Sequence, residues 1–369
     1  MKESRAPQIS TGQTLRLLFI SLIPLCAEVL PGIRGAGAAA WLAPICVLLP
    51  ILVLLWLAFR GEKSGKTRSQ SLTQKLSTPL GKFLAGVFFC WGLFLLVANC
   101  ARCTKRLIIA DGTPVLFSVI VLALVVWMAM GSLPAFVRSC ELFFSIMAVG
   151  LIGIVLLGAG NVQPEYVFPM TKGDLGGLPR VVLMMLGSVS VGLYALFLSD
   201  SVSLRREDRG SILRWTVIFF LTLTIVMLLV LGTFGVNLTL RLERPFFQMV
   251  AGLGVSGAFH RLEALVSALW LLGDVALICL LLFALRRLLQ IISGRDSRRS
   301  VPLVGLAAFF GGELLAGREG LAQLSQELLL PVGSLAVAMV VLLVFFAGNE
   351  RKEKNSQNSR KYLDKAGRR

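Results

Sequence analysis

Apolar runs of about 18 residues or more recur along the whole chain, and they restrict its fold more than any other feature. The chain has 369 residues, of which 56% are hydrophobic and only 15% are charged, and its mean hydropathy is +0.80. A soluble protein of this length keeps more charge on its surface. In lipid a helix satisfies its own backbone polar groups, so these runs predict membrane-spanning helices.

Ten membrane spans are predicted when the apolar runs are counted with a window of about 20 residues. No small-residue cleavage site follows the first run, so it is predicted to be a span and not a removable signal. The predicted spans are 15–30, 38–59, 83–103, 114–130, 142–160, 181–198, 215–236, 262–289, 303–315 and 331–347. They form one membrane domain over residues 1–348, followed by a basic cytoplasmic tail at 349–369.

The distribution of positive charge supports an even number of spans with both termini in the cytoplasm. In this orientation 27 of the 37 Lys and Arg residues fall on the cytoplasmic side, which is the bias that membrane proteins show. The same bias explains the formal net charge of +17, because basic loops beside anionic lipid need no nucleic acid. We therefore expect membrane lipid, and no nucleic acid, as a partner of the basic segments.

The cysteine and histidine content argues against a disulfide framework, a metal site and a hydrolytic triad. The seven cysteines lie almost entirely inside spans, and their number is odd. The Cys100–Cys103 spacing occurs in metal and redox sites, but no second pair accompanies it, so apolar filling is favoured. The sequence contains a single histidine, His260. We expect no enzymatic activity, no metal and no cofactor.

Two prolines and a carboxylate interrupt the first span, and two interpretations are open. Pro24 and Pro31 each remove a backbone donor, and Glu28 lies between them. In the first interpretation Pro31 and Gly32 end the span at the outer surface, and Glu28 pairs with Arg34. In the second interpretation the helix is discontinuous, and its free carbonyls and helix ends bind a small polar ligand.

The sixth span favours a discontinuous helix. Gly187, Ser188, Ser190 and Gly192 predict a weak, hydroxyl-bearing kink near its middle. Transporters built from two inverted repeats of five spans carry interrupted helices at corresponding positions. In this chain these positions are spans one and six, and the predicted repeats are about 12–160 and 181–348. Glycines that only let helices pack closely are the alternative. The candidate ligand-binding residues are Cys26, Ala27, Glu28, Gly187, Ser188, Ser190, Gly192 and Tyr194.

An apolar segment after the seventh span predicts either a lid over the outer mouth or a helix on the membrane surface. Phe246 and Phe247 follow an Arg-Pro pair, and a glycine-rich stretch comes after them. Arg261 and Glu263 are two residues apart and share no helix face. A structural role beside the lid is favoured for both of them and for Trp270.

Asp274 lies in the middle of the eighth span, where a carboxylate marks a cation or proton site by default. A buried neutral Asp bonded to a backbone carbonyl is the alternative interpretation. Glu28 is the other candidate for ion coupling.

Several segments, taken in chain order, resemble the B subunits of spore germinant receptors. The most specific is an Arg-Pro-Phe-Phe segment, a glycine-rich stretch and Arg261-Leu-Glu263, with Trp270 seven residues later. The segment ISTGQ before span one, Trp41 at the start of span two and LFLSD at the end of span six also match. Proteins of this kind form the spore germination permease family, within the amino acid/polyamine/organocation transporter group.

The resemblance implies an all-α, LeuT-like fold of about ten helices in two inverted repeats of five, with helices one and six broken. It implies a subunit that senses a small nutrient such as an amino acid, with a receptor A subunit and a C lipoprotein as partners in the inner membrane of the spore. The chain departs from the family where Pro24-Leu25-Cys26 replaces a glycine-containing kink. An acidic residue that often follows the span-six kink is also missing near Leu193 and Tyr194.

Two other functions are compatible with the same residues. A secondary transporter would couple solute movement to H⁺ or Na⁺ through Glu28 or Asp274. A scaffold subunit would bind no ligand and would only assemble a complex. Bulky residues at Ala27, Gly187 and Ser190 are expected to abolish the ligand response in the sensing and transport cases and to leave germination unchanged in the scaffold case.

Overall fold

The structure is a computed structural model, and it describes residues 9–28, 36–60, 76, 78–107, 114–168, 170–203, 206–242, 244–253, 262–318, 320–321, 325 and 332–342. Within these ranges the fold consists of helices and of two strands of two residues each. Predictions for Arg261, the side chains of Glu28 and Glu263, and the tail at 349–369 lie outside what the structure describes.

Eleven helices make up the bundle in the described ranges. In chain order they are α1 (Thr11–Glu28), α2 (Ala43–Arg60), α3 (Pro79–Leu107), α4 (Pro114–Met130), α5 (Leu133–Ala159), α6 (Lys172–Ser190), α7 (Arg209–Thr239), α8 (Pro245–Gly252), α9 (Leu262–Ser293), α10 (Val301–Ala316) and α11 (Val332–Leu342). A 3₁₀ helix over Gly37–Leu42 precedes α2, and a second over Val191–Ser201 continues α6. Single 3₁₀ turns lie at Pro164–Tyr166, Arg206–Asp208 and Arg298–Ser300.

Seven of these helices are long and apolar enough to cross a membrane: α2, α3, α5, α6, α7, α9 and α10, counted with their 3₁₀ extensions. The helices α1, α4 and α11 are apolar but shorter in the described ranges. Each of the ten predicted spans overlaps one of these ten helices. The prediction of an all-α polytopic membrane protein is confirmed, whereas the number of crossings and the inverted repeat stay predictions.

The exposed surface of the bundle is apolar, as contact with lipid requires. On α5 a row of large side chains points outward at intervals of three or four residues, so one face of the helix is a continuous apolar surface. The row comprises Leu142, Ile146, Val149, Ile152 and Leu156. In contrast, α9 is buried over most of its length and forms the centre of the bundle, packed against α1 and α3.

One end of the bundle brings together segments that are predicted to be cytoplasmic. Strand β1 (Ile9–Ser10) pairs in parallel with strand β2 (Val202–Ser203), which follows the 3₁₀ part of span six. Arg16 near the start of α1 forms an ion pair with Glu141 of α5. Arg287 near the end of α9 lies 2.5 Å from a carboxylate oxygen of Asp200. Because α1 begins at this end and α9 finishes there, the two helices run antiparallel.

The opposite end is held by different contacts, which involve loops predicted to be outside. The Asp174 carboxylate closes a capping box with Thr171 at the start of α6 and also accepts the backbone N–H of Ala38. A Cβ at Gly37 would lie 2.0 Å from the Asp174 Oδ1 atom, and Gly37 has φ +47°, so only glycine suits this position. The first residues of spans two and six are thereby fastened together.

Candidate functional site

The α1 helix runs without a break through Pro24, which corrects the predicted interruption at that residue. It is helical from Thr11 to Glu28. Proline has no N–H, so Pro24 donates no hydrogen bond to the carbonyl of Ile20 one turn earlier. Residues 29–35 lie outside the described ranges, and so does the predicted pairing of Glu28 with Arg34.

Gly273 of α9 lies directly against the Pro24 turn. A Cβ built on Gly273 would be 2.4 Å from Pro24 Cγ and 2.7 Å from the Ile20 carbonyl oxygen. The hydrogen that stands in place of that Cβ can approach the carbonyl as a weak Cα–H donor. The close approach therefore depends on a glycine in α9 opposite a proline in α1.

Span six changes its helical geometry instead of breaking, and this corrects the prediction of an interrupted helix. The α6 helix ends at Ser190, and an eleven-residue 3₁₀ helix continues from Val191 to Ser201. Runs of 3₁₀ helix longer than about four residues are uncommon, and a stretch inside a span often marks a hinge or strain. The change nevertheless falls among the residues that were predicted to form the kink.

The Ser190 hydroxyl compensates for the backbone bond that is lost at this change. In a continuous α-helix the Val191 amide would bond to the carbonyl of Gly187, but here it bonds to the carbonyl of Ser188. The Ser190 Oγ atom donates to the Gly187 carbonyl over 2.5 Å. A buried carbonyl without a donor is costly in a membrane interior, so Ser190 stabilises the transition.

Spans one and six touch each other where the geometry of span six changes. A Cβ at Gly192 would lie 2.9 Å from Leu22 Cδ1 and 3.6 Å from Leu18 Cδ2, both on α1. Gly187 is buried, and the buried Ser188 hydroxyl donates to the Met184 carbonyl over 3.0 Å. On α1, Cys26 and Ala27 are also buried.

Tyr194 faces α3 and not α1, so it does not line the contact between spans one and six. Its hydroxyl donates to the Phe88 carbonyl of α3 over 2.8 Å. A Cβ at Gly92, also on α3, would be 2.7 Å from the Tyr194 ring. Tyr194 therefore packs the 3₁₀ helix against α3, and its predicted contact with a ligand is not supported by this orientation.

Asp274 forms an ion pair with Arg102 of α3. The Arg102 Nη2 atom lies 3.4 Å from Asp274 Oδ1, and the two side chains are 11% and 1% exposed. The same Nη2 atom donates to the side-chain oxygen of Asn99, whose amide nitrogen donates to the Leu95 carbonyl over 2.7 Å. A buried charge needs such compensation, so Arg102 is the partner that Asp274 requires.

Ser21 and Trp270 bring two further polar atoms to this region. The buried Ser21 hydroxyl and the buried Trp270 indole N–H have no hydrogen-bond partner among the residues that the structure describes. An α-helix turns about 100° per residue. Where two antiparallel helices touch, the residue that follows the contact on one helix therefore points to the same side as the residue that follows it on the other. Ser21 follows Ile20, and Asp274 follows Gly273, so both face the same side of the contact.

A second buried polar group connects α3 with α4 and α10. The Thr104 hydroxyl donates to a carboxylate oxygen of Glu313 over 2.9 Å, and the Ser118 hydroxyl donates to Thr104 over 3.3 Å. This contact joins residues 209 positions apart in sequence. In the described ranges no three His, Cys, Asp or Glu side chains are grouped as a metal site would need.

The predicted lid is a short helix that packs into the bundle and does not lie flat on the membrane surface. Phe246 of α8 stacks on Trp270 with ring centroids 4.6 Å apart, and Phe247 meets the same indole edge-on at 6.0 Å. Arg244 at the start of α8 donates to the Lys105 carbonyl in the last turn of α3 over 2.7 Å. The structure thus brings the lid phenylalanines and Trp270 together, one turn from Asp274.

The sequence of this bundle of packed apolar helices matches a known protein family. A family model described as "Spore germination protein" matches residues 8–311, which include the helices from α1 into α10. A search of curated proteins returned no match. Since the family match covers well over half of the sequence, the chain belongs to the spore germination protein family and is a multi-pass, permease-like membrane protein within it.

Proposed function

We propose that the chain is the permease-like subunit of a spore germinant receptor, which binds a small nutrient and triggers germination together with partner subunits. The observation that carries the proposal is a set of buried polar side chains in the core of an otherwise apolar bundle. Ser21, Asn99, Arg102 and Asp274 come from three different helices and are buried or nearly so. Trp270, one turn from Asp274, stacks on Phe246 of the lid helix α8. Polar groups in a membrane interior are expensive, and they mark ligand or ion sites.

The proposed response is closure of the helices around the nutrient. The α1 helix touches the 3₁₀ helix at Gly192, two residues after α6 ends at Ser190, so changes in ligand contacts here can move the 3₁₀ segment. The movement would reach the inner end through strand β2, which is paired with β1 just before α1. A ligand produces a full switch only if it favours the closed state by about 5.5 kcal/mol.

The partners and the location extend this proposal. We expect a germinant receptor A subunit and a C lipoprotein as partners in the inner membrane of the spore, with both chain termini in the cytoplasm. The ten-span, LeuT-like arrangement of two inverted repeats is part of the same proposal. Its support is that α1 and the span-six helix lie side by side and both contact the central helix α9.

A secondary transporter coupled to H⁺ or Na⁺ is the second candidate. A coupling carboxylate must exchange its cation during each cycle, whereas Asp274 is already compensated by Arg102. This pairing favours sensing over transport through Asp274. A scaffold without a ligand is the third candidate, and it would leave the buried polar set without a purpose.

A germination assay with complementation tests the proposal. Spores that lack the gene are complemented with the wild-type chain or with Ser190→Phe, and a panel of amino acids, sugars and nucleosides is applied. The variant fills the junction of α6 and its 3₁₀ extension, and we expect it to abolish the nutrient response. Gly153→Val is the matched control, because a Cβ at Gly153 would have no heavy atom within 4 Å.

Two outcomes would redirect the proposal. An unchanged response of Ser190→Phe spores, with the chain present in the membrane, supports the scaffold function. Uptake of radiolabelled solute by proteoliposomes that contain the purified chain alone, dependent on a H⁺ or Na⁺ gradient, supports transport.

A further inference from the structure

The Arg102–Asp274 pair has the geometry of two charges that can exchange partners. Its contact of 3.4 Å is longer than the roughly 2.7–2.9 Å of a strong charge-assisted hydrogen bond. The Asp274 side chain is nonetheless buried and the Arg102 side chain is only 11% exposed, between α3 and α9. The pair keeps the site electrically neutral in the absence of a ligand, and a net-neutral ligand with two opposite charges would preserve that neutrality.

Two buried polar atoms without a hydrogen-bond partner in the described ranges lie on α9 itself and on α1, which packs against it. Trp270 precedes Asp274 by one turn of α9, and its buried N–H has no acceptor among the described residues. Ser21 of α1 turns to the same side of the α1–α9 contact as Asp274, and its buried hydroxyl has no partner in the described ranges either. Buried polar atoms in native proteins are normally hydrogen-bonded, so unused ones beside a charge pair indicate a place for a ligand.

On the premise that the proposed sensing function holds, we infer that Arg102 and Asp274 form a zwitterion-binding subsite for a free α-amino acid. Arg102 binds the α-carboxylate of the ligand, and Asp274 binds its α-ammonium group. The Ser21 hydroxyl and the Trp270 N–H provide additional hydrogen bonds to the ligand. Phe246 and Phe247 cover Trp270 and close the subsite from the side of α8.

The replacement of the Arg102–Asp274 ion pair by ion pairs with the ligand explains why both charges of the ligand are required. A zwitterion replaces one protein–protein ion pair by two protein–ligand ion pairs, so no buried charge is left uncompensated. A carboxylate without the ammonium group would bind Arg102 in place of Asp274 and bring no positive charge to Asp274. An amine without the carboxylate would likewise bring no negative charge to Arg102. Truncating one member of a buried charge pair is costly, so these analogues should bind about 100-fold more weakly.

The experiment measures binding to the full-length chain in lipid nanodiscs. The twenty amino acids, glucose and inosine are screened by thermal shift, and the amino acid that stabilises most is titrated by calorimetry. It is then compared with its own amide, which lacks the carboxylate charge, and with the corresponding 2-hydroxy acid, which lacks the ammonium charge. We expect both analogues to lose on the order of 100-fold in affinity.

A variant without charges separates this role from a role in folding. Arg102→Met combined with Asp274→Leu replaces the buried pair by apolar residues of similar volume, which is often neutral for stability. We expect this protein to keep its melting temperature and to lose amino acid binding by about 100-fold. Arg16→Met combined with Glu141→Leu removes the ion pair at the inner end and should bind like the wild type.

The possible results are distinct for the subsite and for the proposed function. Binding of the 2-hydroxy acid or of the amide within threefold of the amino acid overturns the subsite. Retained binding by the Arg102→Met, Asp274→Leu protein overturns it too. Binding of glucose or inosine without any amino acid overturns the subsite but leaves nutrient sensing intact, and binding of no compound in the panel counts against both.

Discussion

Gly273 of the central helix α9 lies directly against Pro24 of α1. A Cβ at Gly273 would lie 2.4 Å from Pro24 Cγ and 2.7 Å from the Ile20 carbonyl oxygen. The proline leaves that carbonyl without its intrahelical donor, and the glycine is small enough to approach it. The contact also sets the rotation of both helices, and thereby the side to which Ser21 and Asp274 point.

Gly273→Ala is therefore expected to destabilise the protein by about 1–3 kcal/mol, because the added methyl group overlaps atoms that cannot easily move. The measurement is the melting temperature of the purified protein in detergent. Gly86→Ala on α3 is the matched control, since a Cβ there would have no heavy atom within 4 Å, and it should be neutral or slightly stabilising. Equal melting temperatures for the two variants would contradict the prediction.

Ser190→Ala should cost about 1 kcal/mol of stability, because the Gly187 carbonyl loses the hydroxyl that replaces its backbone donor. The control is Ser145→Ala on α5, whose exposed hydroxyl donates to the Glu141 carbonyl in a regular helix. We expect the control to change stability by clearly less. If the two substitutions have the same effect on the melting temperature, Ser190 does not stabilise the change to 3₁₀ geometry.

Arg287→Gln is expected to loosen the inner end of span six. The Arg287 guanidinium lies 2.5 Å from the half-buried Asp200 at the end of the 3₁₀ helix. Its loss should increase amide hydrogen exchange in residues 191–201, with a stability change of about 1 kcal/mol or less. Arg286→Gln is the control, because its partner Asp296 is 66% exposed. The same exchange in both variants would show that the Asp200 pair does not hold this segment.

Phe246→Ala should release the lid helix, because it removes a buried ring that stacks on Trp270. The loss of a buried phenylalanine costs about 3–5 kcal/mol, and we expect it as faster hydrogen exchange over residues 245–252. Phe83→Ala on α3 is the comparison, since that ring is 69% exposed on the outer surface of the bundle. Unchanged exchange at α8 in the Phe246→Ala protein would mean that the stacking does not secure the lid.

The candidate site was only partly predictable from the sequence. Gly187 and Ser190 identify the place where span six changes, because small and hydroxyl-bearing residues inside an apolar run are visible as such. The kind of change was not predictable: span six continues as a 3₁₀ helix, with the Ser190 hydroxyl bonded to the Gly187 carbonyl where the α-helix ends. Ser21 carries no signal at all in the sequence, and only its burial without a partner draws attention to it.

Arg102 shows the limit of local reasoning most clearly. It stands at the end of a predicted span, next to two other cations, and this pattern is typical of a loop at the membrane surface. The residue that compensates its charge, Asp274, is 172 positions further along the chain. Such a pair becomes visible only when α3 and α9 are packed against each other.

The amino-acid sequence alone determined the membrane class, the helical class and the approximate position of the apolar helices, because apolar length and backbone hydrogen bonding act within one segment. Three features depend on the three-dimensional packing: the continuity of α1 through Pro24, the ion pair of Arg102 with Asp274 and the stacking of Phe246 on Trp270. These features arise from contacts between segments far apart in the chain. No periodicity within a single segment carries information about which distant residue will lie opposite.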